Sequence, residues 1–332
     1  MSLLRWKSIS VFSFCLVLIL VGTSLNAQEK SAQDSRTAVS KSEKKKILFL
    51  AGRPSHGYMS HEHYAGCMLL AKSIEQATDD VETIVLKYNW PKSDDAFDGV
   101  DCIVMYCDGG GGHPVNKHLE QVDKLAKKGV GIVCIHYGVE VPKGKSGDKF
   151  LEWIGGYFET HWSVNPHWTA EFKEIPEHAI TRGVKPFAIN DEWYYHMRFR
   201  DEMKNVTPIL SAVPPASTLK RPDGPHSGNP HVRKKAGQRQ HVAWAATRED
   251  GGRGFGFTGG HFHWNWGDDN FRKLVMNAVV WCAKGDIPKE GLSDKSKSLD
   301  DLKENQDYQP RKNFNFDRAE KILEANKKDN EK

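Results

Sequence analysis

Strand-length apolar runs alternating with amphipathic stretches restrict how this chain can fold more than any other feature of it. Ile47-Leu48-Phe49-Leu50-Ala51 is apolar throughout and is bounded by Gly52 and Pro54. Val81 to Leu86 reads as a second strand. A third, Asp101 to Cys107, stops at Asp108-Gly109-Gly110-Gly111-Gly112, and a fourth, Val130 to Ile135, runs into His136-Tyr137-Gly138. Between them, the stretch from His61 to Ala77 carries Tyr64, Met68, Leu69 and Ile74, and the stretch opening at Pro114 carries Leu119, Val122, Leu125 and Ala126. Both have the spacing of helices with one apolar face. Strands apolar on both sides need cover on both sides. The expected class is therefore α/β, with a mostly parallel sheet between helices.

The second half is more mixed. Trp168 to Phe172, Phe187 to Asn190, Val206 to Ala212, His241 to Ala246 and Gly254 to Thr258 are expected as short strands, and Asn270 to Ala283 as a helix. Thr218 to Gln240, rich in Pro, Gly, Lys and Arg, has no period and reads as a long loop. The expected organisation is a signal peptide at 1–27, a flexible linker at 28–45, one domain at 46–285 and a charged tail at 286–332, with a short helix near Ala319 to Ala325. Arg5 and Lys7 precede the apolar run Ser8 to Gly22, and cleavage after Ala27 or near Ser24 fits the small residues that follow. The run is short against the roughly 20 residues of a membrane span, so cleavage is favoured. A periplasmic or secreted protein with no stable membrane span is expected.

Once Cys15 leaves with the signal, five cysteines remain (Cys67, Cys102, Cys107, Cys134 and Cys282) without a CxxC pair. That argues against a disulfide framework or a thiolate zinc site. With 47 basic and 43 acidic residues, the charge balance gives no electrostatic case for nucleic acid.

The unusual residue type is histidine. In open parallel α/β sheets, ligands bind outside the carboxyl ends of the strands. His56 follows the first strand, Asp108 and His113 the third, His136 the fourth, and His261 and His263 the last. Taken singly, each has an ordinary reading as a solvated, capping or turn residue. Their joint placement at strand ends predicts one shared crevice. Imidazoles there can exchange protons near neutrality or ligate a metal. His261-x-His263, if extended, points both rings to one side and is the better candidate pair for a divalent metal such as zinc, with Asp108, Asp191 or Glu192 available to complete it. His61-x-His63, read as helical, faces two sides and is a poor pair. Asp191-Glu192-Trp193-Tyr194-Tyr195 places carboxylates beside aromatic rings, a combination suited to sugars. His261-Phe-His-Trp264-Asn-Trp266 interleaves rings with polar groups.

These segments, in order, resemble a known family. Gly52 and His56 follow the first strand. Gly-Ile-Val-Cys-Ile-His136-Tyr-Gly138 comes next, then Gly155-Gly156-Tyr-Phe-Glu-Thr-His161, His178-Ala-Ile-Thr-Arg-Gly183, Asp191-Glu192-Trp-Tyr194 and Gly254-Phe-Gly-Phe-Thr-Gly-Gly-His261. From about Lys46 to Lys284 the chain resembles the ThuA-like, trehalose-utilisation family. That family is similar in fold to class I glutamine amidotransferases, which implies a flavodoxin-like three-layer sandwich. Those amidotransferases carry a nucleophilic Cys in an Ile-Cys-x-Gly turn. Here the turn is Ile135-His136-Tyr137-Gly138, and Cys134 lies within the strand, so amidotransferase activity is not expected.

The resemblance implies a small-molecule carbohydrate partner, with a hydrolase or lyase acting on a disaccharide or 3-keto sugar. His136, His56, Asp108 and His261 are the catalytic candidates, and His161, Asp191, Glu192, Tyr194 and Trp264 the substrate-binding ones. A sugar-binding module without turnover explains the aromatics equally well, and a scaffold using the charged tail is a third reading. The oligomeric state stays open, a homo-oligomer included.

Overall fold

A computed structural model describes residues 43–88 and 90–330. The expected signal peptide, and the linker as far as residue 42, lie outside the described residues. Lys45, expected to end the linker, already opens the first strand. In chain order the strands are β1 (Lys45–Ala51), β2 (Val81–Lys87), β3 (Cys102–Tyr106), β4 (Gly131–Ile135), β5 (Gly156–Tyr157), β6 (Trp168–Phe172), β7 (Phe187–Asp191), β8 (Arg198–Phe199), β9 (Val206–Ala212), β10 (Gln240–Thr247) and β11 (Arg253–Phe257). The helices are α1 (His63–Ala77), α2 (Leu119–Lys127), α3 (Lys145–Ile154), α4 (Pro230–Arg233), α5 (Asp269–Cys282), α6 (Leu299–Lys303) and α7 (Asp317–Asn330).

The central sheet has seven strands in the order β2-β1-β3-β4-β11-β10-β9. Its first five strands run parallel, and β10 is antiparallel to both neighbours. Successive residues of a strand point to opposite faces, and the core divides accordingly. Ile47, Phe49, Val104 and Ile135 pack with α1 and α5 on one face. Leu48, Leu50, Ile103 and Cys134 pack with α2 and α3 on the other. Each fully buried aliphatic or aromatic chain of this kind is worth roughly 1.5–3 kcal/mol. The five cysteines in the described residues are free and buried. Register sets up the site: Ala51 pairs with Tyr106, Tyr106 with Ile135, and Ile135 with Phe257. The exits of β1, β3, β4 and β11 therefore stand side by side at one rim.

Several elements differ from expectation. α1 starts at His63, because the chain from Pro54 to Glu62 remains a loop with left-handed residues at His56, Met59 and His61. The helix expected from Pro114 splits into a 3-10 turn, Pro114–Lys117, and α2. The charged segment after residue 285 is folded onto the domain. Leu292 and Leu302 are buried, Arg272 is sealed against Asp294 at 2.9 Å, and the Asp307 N–H donates to Glu62 Oε2 at 2.8 Å. Its apolar residues are few but spaced so that each reaches the core. The 218–240 segment contains α4 and is tied down as well: Asn165 N–H donates to the His226 carbonyl at 3.0 Å, and the His226 ring meets Glu140 at 2.9 Å.

Candidate functional site

At the rim formed by β1, β3, β4 and β11, two backbone devices bring rings together. The first is the turn after β4. His136 takes φ 53°, in the left-handed region that L-residues enter at a cost of roughly 1–2 kcal/mol. The 3-10 turn His136–Val139 follows at once. Gly138 is required there, because a Cβ would stand 2.8 Å from the Met105 carbonyl. The second device joins two loops distant in the chain. His61, also left-handed at φ 49°, donates its N–H to the His261 carbonyl at 3.0 Å, and Ser60 bridges Phe262. Asp191, fully buried at the end of β7, accepts from Gly260 N–H (2.7 Å), His261 N–H (3.1 Å) and the Asn265 amide (2.9 Å). It is a structural clasp for the loop that carries His261.

The result is a compact group of His61, His136, His261 and Glu192. Each offers one ligand atom, and these atoms lie within 4.8 Å of one another. His136 Nε2 is 3.0 Å from His61 Nε2, and His61 Nε2 is 3.0 Å from His261 Nδ1. Glu192 Oε2 lies 3.1 Å from His261 Nδ1 and 3.5 Å from His136 Nε2. The outer nitrogens settle the tautomers. His136 Nδ1 is 2.9 Å from the Thr258 carbonyl, which can only accept, so Nδ1 carries the proton. His61 Nδ1 is 3.0 Å from the Asp108 carboxylate and donates likewise. In the neutral rings both Nε2 atoms then present lone pairs to each other. Such a contact is repulsive unless a proton or a cation lies between them. Three imidazoles and a carboxylate oriented by a carbonyl and a second carboxylate form a donor set suited to zinc-like divalent ions.

Electrostatics follow from this crowding. Burial pushes the His61 pKa down to about 2, with the hydrogen bond to Asp108 opposing and His136 and His261 adding to the fall. Burial raises the Asp108 carboxyl, but hydrogen bonding from His61 and the neighbouring His63 outweigh it and hold it at about 2. For Glu192, burial is likewise overcome, here by His136, His167 and His261, and the carboxyl stays well below its usual range. The resting site thus combines an ionised Glu192 carboxylate with a His61 imidazole that resists protonation. The Tyr194 hydroxyl sits 3.2 Å from His136 Nε2 and 3.4 Å from Glu192 Oε2.

A family model described as trehalose utilisation, ThuA, matches residues 46–282. The chain belongs to the ThuA family. Two solved structures share its fold. One is a ThuA-like protein from Bacteroides uniformis, with TM-score 0.51 and 16% identity, over 74% of this chain and 94% of that one. The other, from Parabacteroides merdae, has TM-score 0.50 and 12% identity, over 78% of this chain and 99% of that one. The mostly parallel seven-stranded sheet with helices on both faces is the expected flavodoxin-like α/β arrangement. No protein of curated function matches the chain.

Within this ThuA domain the predicted residues fall in different places. His136, His261, Glu192 and Tyr194 meet in the cluster, and Asp108 backs it through His61. His56 is exposed at its mouth, with its ring 3.6 Å from that of His61 and 5.8 Å from that of His261. His161 is exposed and held by its backbone to Pro225, and among the described residues no hydrogen bond or ring contact joins it to the cluster. His263 does not pair with His261. The chain turns into a 3-10 helix at His263, so the extended geometry that would align the two rings is absent, and the His263 ring is fully buried. Trp264 stacks on Phe262 at 4.5 Å, one ring removed from the cluster. His113 is buried beneath the rim against the Gly138 carbonyl.

Two residues lay outside the predicted set. His61 is central, and the signal for it was the run Pro54 to Ser60, whose loop-forming residues carry the turn past His61. His167, with Nε2 3.7 Å from Glu192 Oε1, stands at the mouth and had no signal beyond its aromatic neighbours.

Proposed function

We propose that this chain is an exported carbohydrate-processing enzyme, a hydrolase or lyase acting on a disaccharide or 3-keto sugar, with a divalent metal held by His61, His136, His261 and Glu192. The observation that carries the reading is the convergence of three imidazole nitrogens and one carboxylate oxygen, with the His136 and His61 rings oriented from behind by the Thr258 carbonyl and Asp108. Such an ion would supply Lewis acidity toward a carbonyl or hydroxyl oxygen, or an acidified water.

The chain's own residues do the rest. Asp108 and Thr258 fix the tautomers of His61 and His136. The Tyr194 hydroxyl can donate to the cluster or to a substrate oxygen. His56, exposed at the mouth and bonded to Ser55 at 3.0 Å, is the group placed to pass protons to and from a bound sugar. A thiol mechanism has no support: burial pushes the Cys134 thiol up, and it packs in the core. Among the described residues no helix is long and apolar enough to cross a membrane, and export rests on the N-terminal apolar run. A sugar-binding module without turnover would have no use for a buried array of imidazoles, which favours the enzyme.

The test is metal analysis of purified protein together with a product screen on trehalose and 3-keto-trehalose. A stoichiometric divalent ion, lost in His136→Ala along with turnover, is the expected result. Full turnover by His136→Ala would remove the proposed centre.

A further inference from the structure

A second feature opens at the same rim, beside the cluster. β1 leads into α1 on one face of the sheet and β3 leads into α2 on the other, so the connections diverge above the adjacent ends of β1 and β3. In an open α/β sheet such a divergence leaves a crevice. Here it is a cavity of about 520 Å³, within the roughly 300–1,000 Å³ typical of small-molecule sites. Gly52 forms its floor, and a Cβ there would meet Cys107 at 2.6 Å. Trp90 and His118 form one wall, stacked at 4.4 Å and 3°. The Trp90 Nε1–H donates to Gln121 Oε1 at 2.7 Å, which locks the indole plane. Lys117 stands exposed among the lining residues.

Asp108 is common to both features. Its Oδ1 accepts from Ser55 at 2.9 Å and from His61 at 3.0 Å. Its Oδ2 has no protein donor among the described residues, and the side chain is 37% exposed. One carboxylate thus backs His61 through one oxygen and also lines the cavity.

We propose that this cavity is a sugar subsite: it holds the unit of a neutral disaccharide remote from the bond acted on at the cluster, with a C–H face against Trp90 and hydroxyls on Asp108 Oδ2. A flat locked indole beside an open acceptor matches a ring with one apolar face and hydroxyls at its edge, and the charges of Arg53 and Lys117 in the lining stand against that of Asp108, so no net charge on the ligand is called for. The proposal rests on the carbohydrate reading above but not on the metal.

Calorimetric titration of the full-length protein with trehalose, with and without prior EDTA treatment, tests it. Wild type binds trehalose in both states. Trp90→Ala weakens binding by about tenfold, a loss of roughly 1.4 kcal/mol, whereas Trp90→Phe, which keeps a flat ring, retains most of it. Melting curves confirm that both variants are folded. Trp90→Ala titrating like wild type, glucuronate binding more tightly than trehalose, or no trehalose binding by wild type would each overturn the subsite. Protein that takes no divalent ion yet loses trehalose with Trp90→Ala would refute the metal centre and leave the subsite standing. The opposite pattern would do the reverse.

Discussion

The cluster and the cavity beside it share Asp108 and differ in almost everything else. The cluster is buried and over-determined: His136 is fully buried, its outer nitrogen is committed to Thr258, and two left-handed backbone residues hold the rings in place. The cavity is open, is walled by one stacked pair and makes few fixed polar contacts. The contrast teaches how one rim divides its work. Rigid convergence of titratable groups suits bond chemistry, while a looser wall with an unsatisfied acceptor suits recognition of a varied ligand.

The division is broken most directly at the cluster. Glu192→Gln is expected to lower metal affinity and turnover by more than about a hundredfold while trehalose binding by the metal-free protein persists, as read by metal analysis and calorimetry. Asp108→Asn should be felt on both sides: it removes the acceptor behind His61, with roughly 10–100-fold weaker metal binding, and it blunts sugar affinity. An Asp108→Asn protein altered in only one of these would separate the two features. Asp191→Ala should instead damage the fold. It strands the Gly260 and His261 N–H groups at roughly 1–3 kcal/mol each, which denaturant unfolding would register, with metal affinity falling as the His261 loop loosens.

The smallest effect is expected away from the cluster. The hydrogen bond to Glu140 raises the His226 pKa above 6.5, and burial raises that of Glu140 above 4.5. Both groups have folded-state values above their unfolded ones. The stability they lend the 218–240 segment is therefore present at low pH and is lost as pH rises through each folded value, the last of it above 6.5. Hydrogen exchange at the Asn165 amide should quicken over that range and lose its pH dependence beyond the intrinsic rate in His226→Ala.

Much of the scaffold was legible because it is written locally. Trp168–Phe172 and Val206–Ala212 form as expected, since alternation or a short apolar run flanked by turn residues identifies a strand without reference to the rest of the molecule. The rule that ligands gather at carboxyl strand ends brought His56, His136 and His261 to one rim before any geometry was known. It could not separate His61 from His161. Both lie in loops and both adopt positive φ, yet one is the hub of the cluster and the other faces solvent. The folded tail was hidden for a related reason. Leu292 and Leu302 are isolated apolar residues in a charged stretch, and their burial depends on partners far away in the chain.

The chain's periodicity by itself determined the sheet, its two covering layers and the edge where polar groups would collect, because those follow from hydrophobic spacing over a few residues. Which imidazoles point inward was decided only by contacts between distant segments. The His61 amide closes on the His261 carbonyl and Asp191 clasps the loop of His261, and a ring's direction at a strand end is set by such long-range bonds and by a left-handed backbone that no local pattern announces.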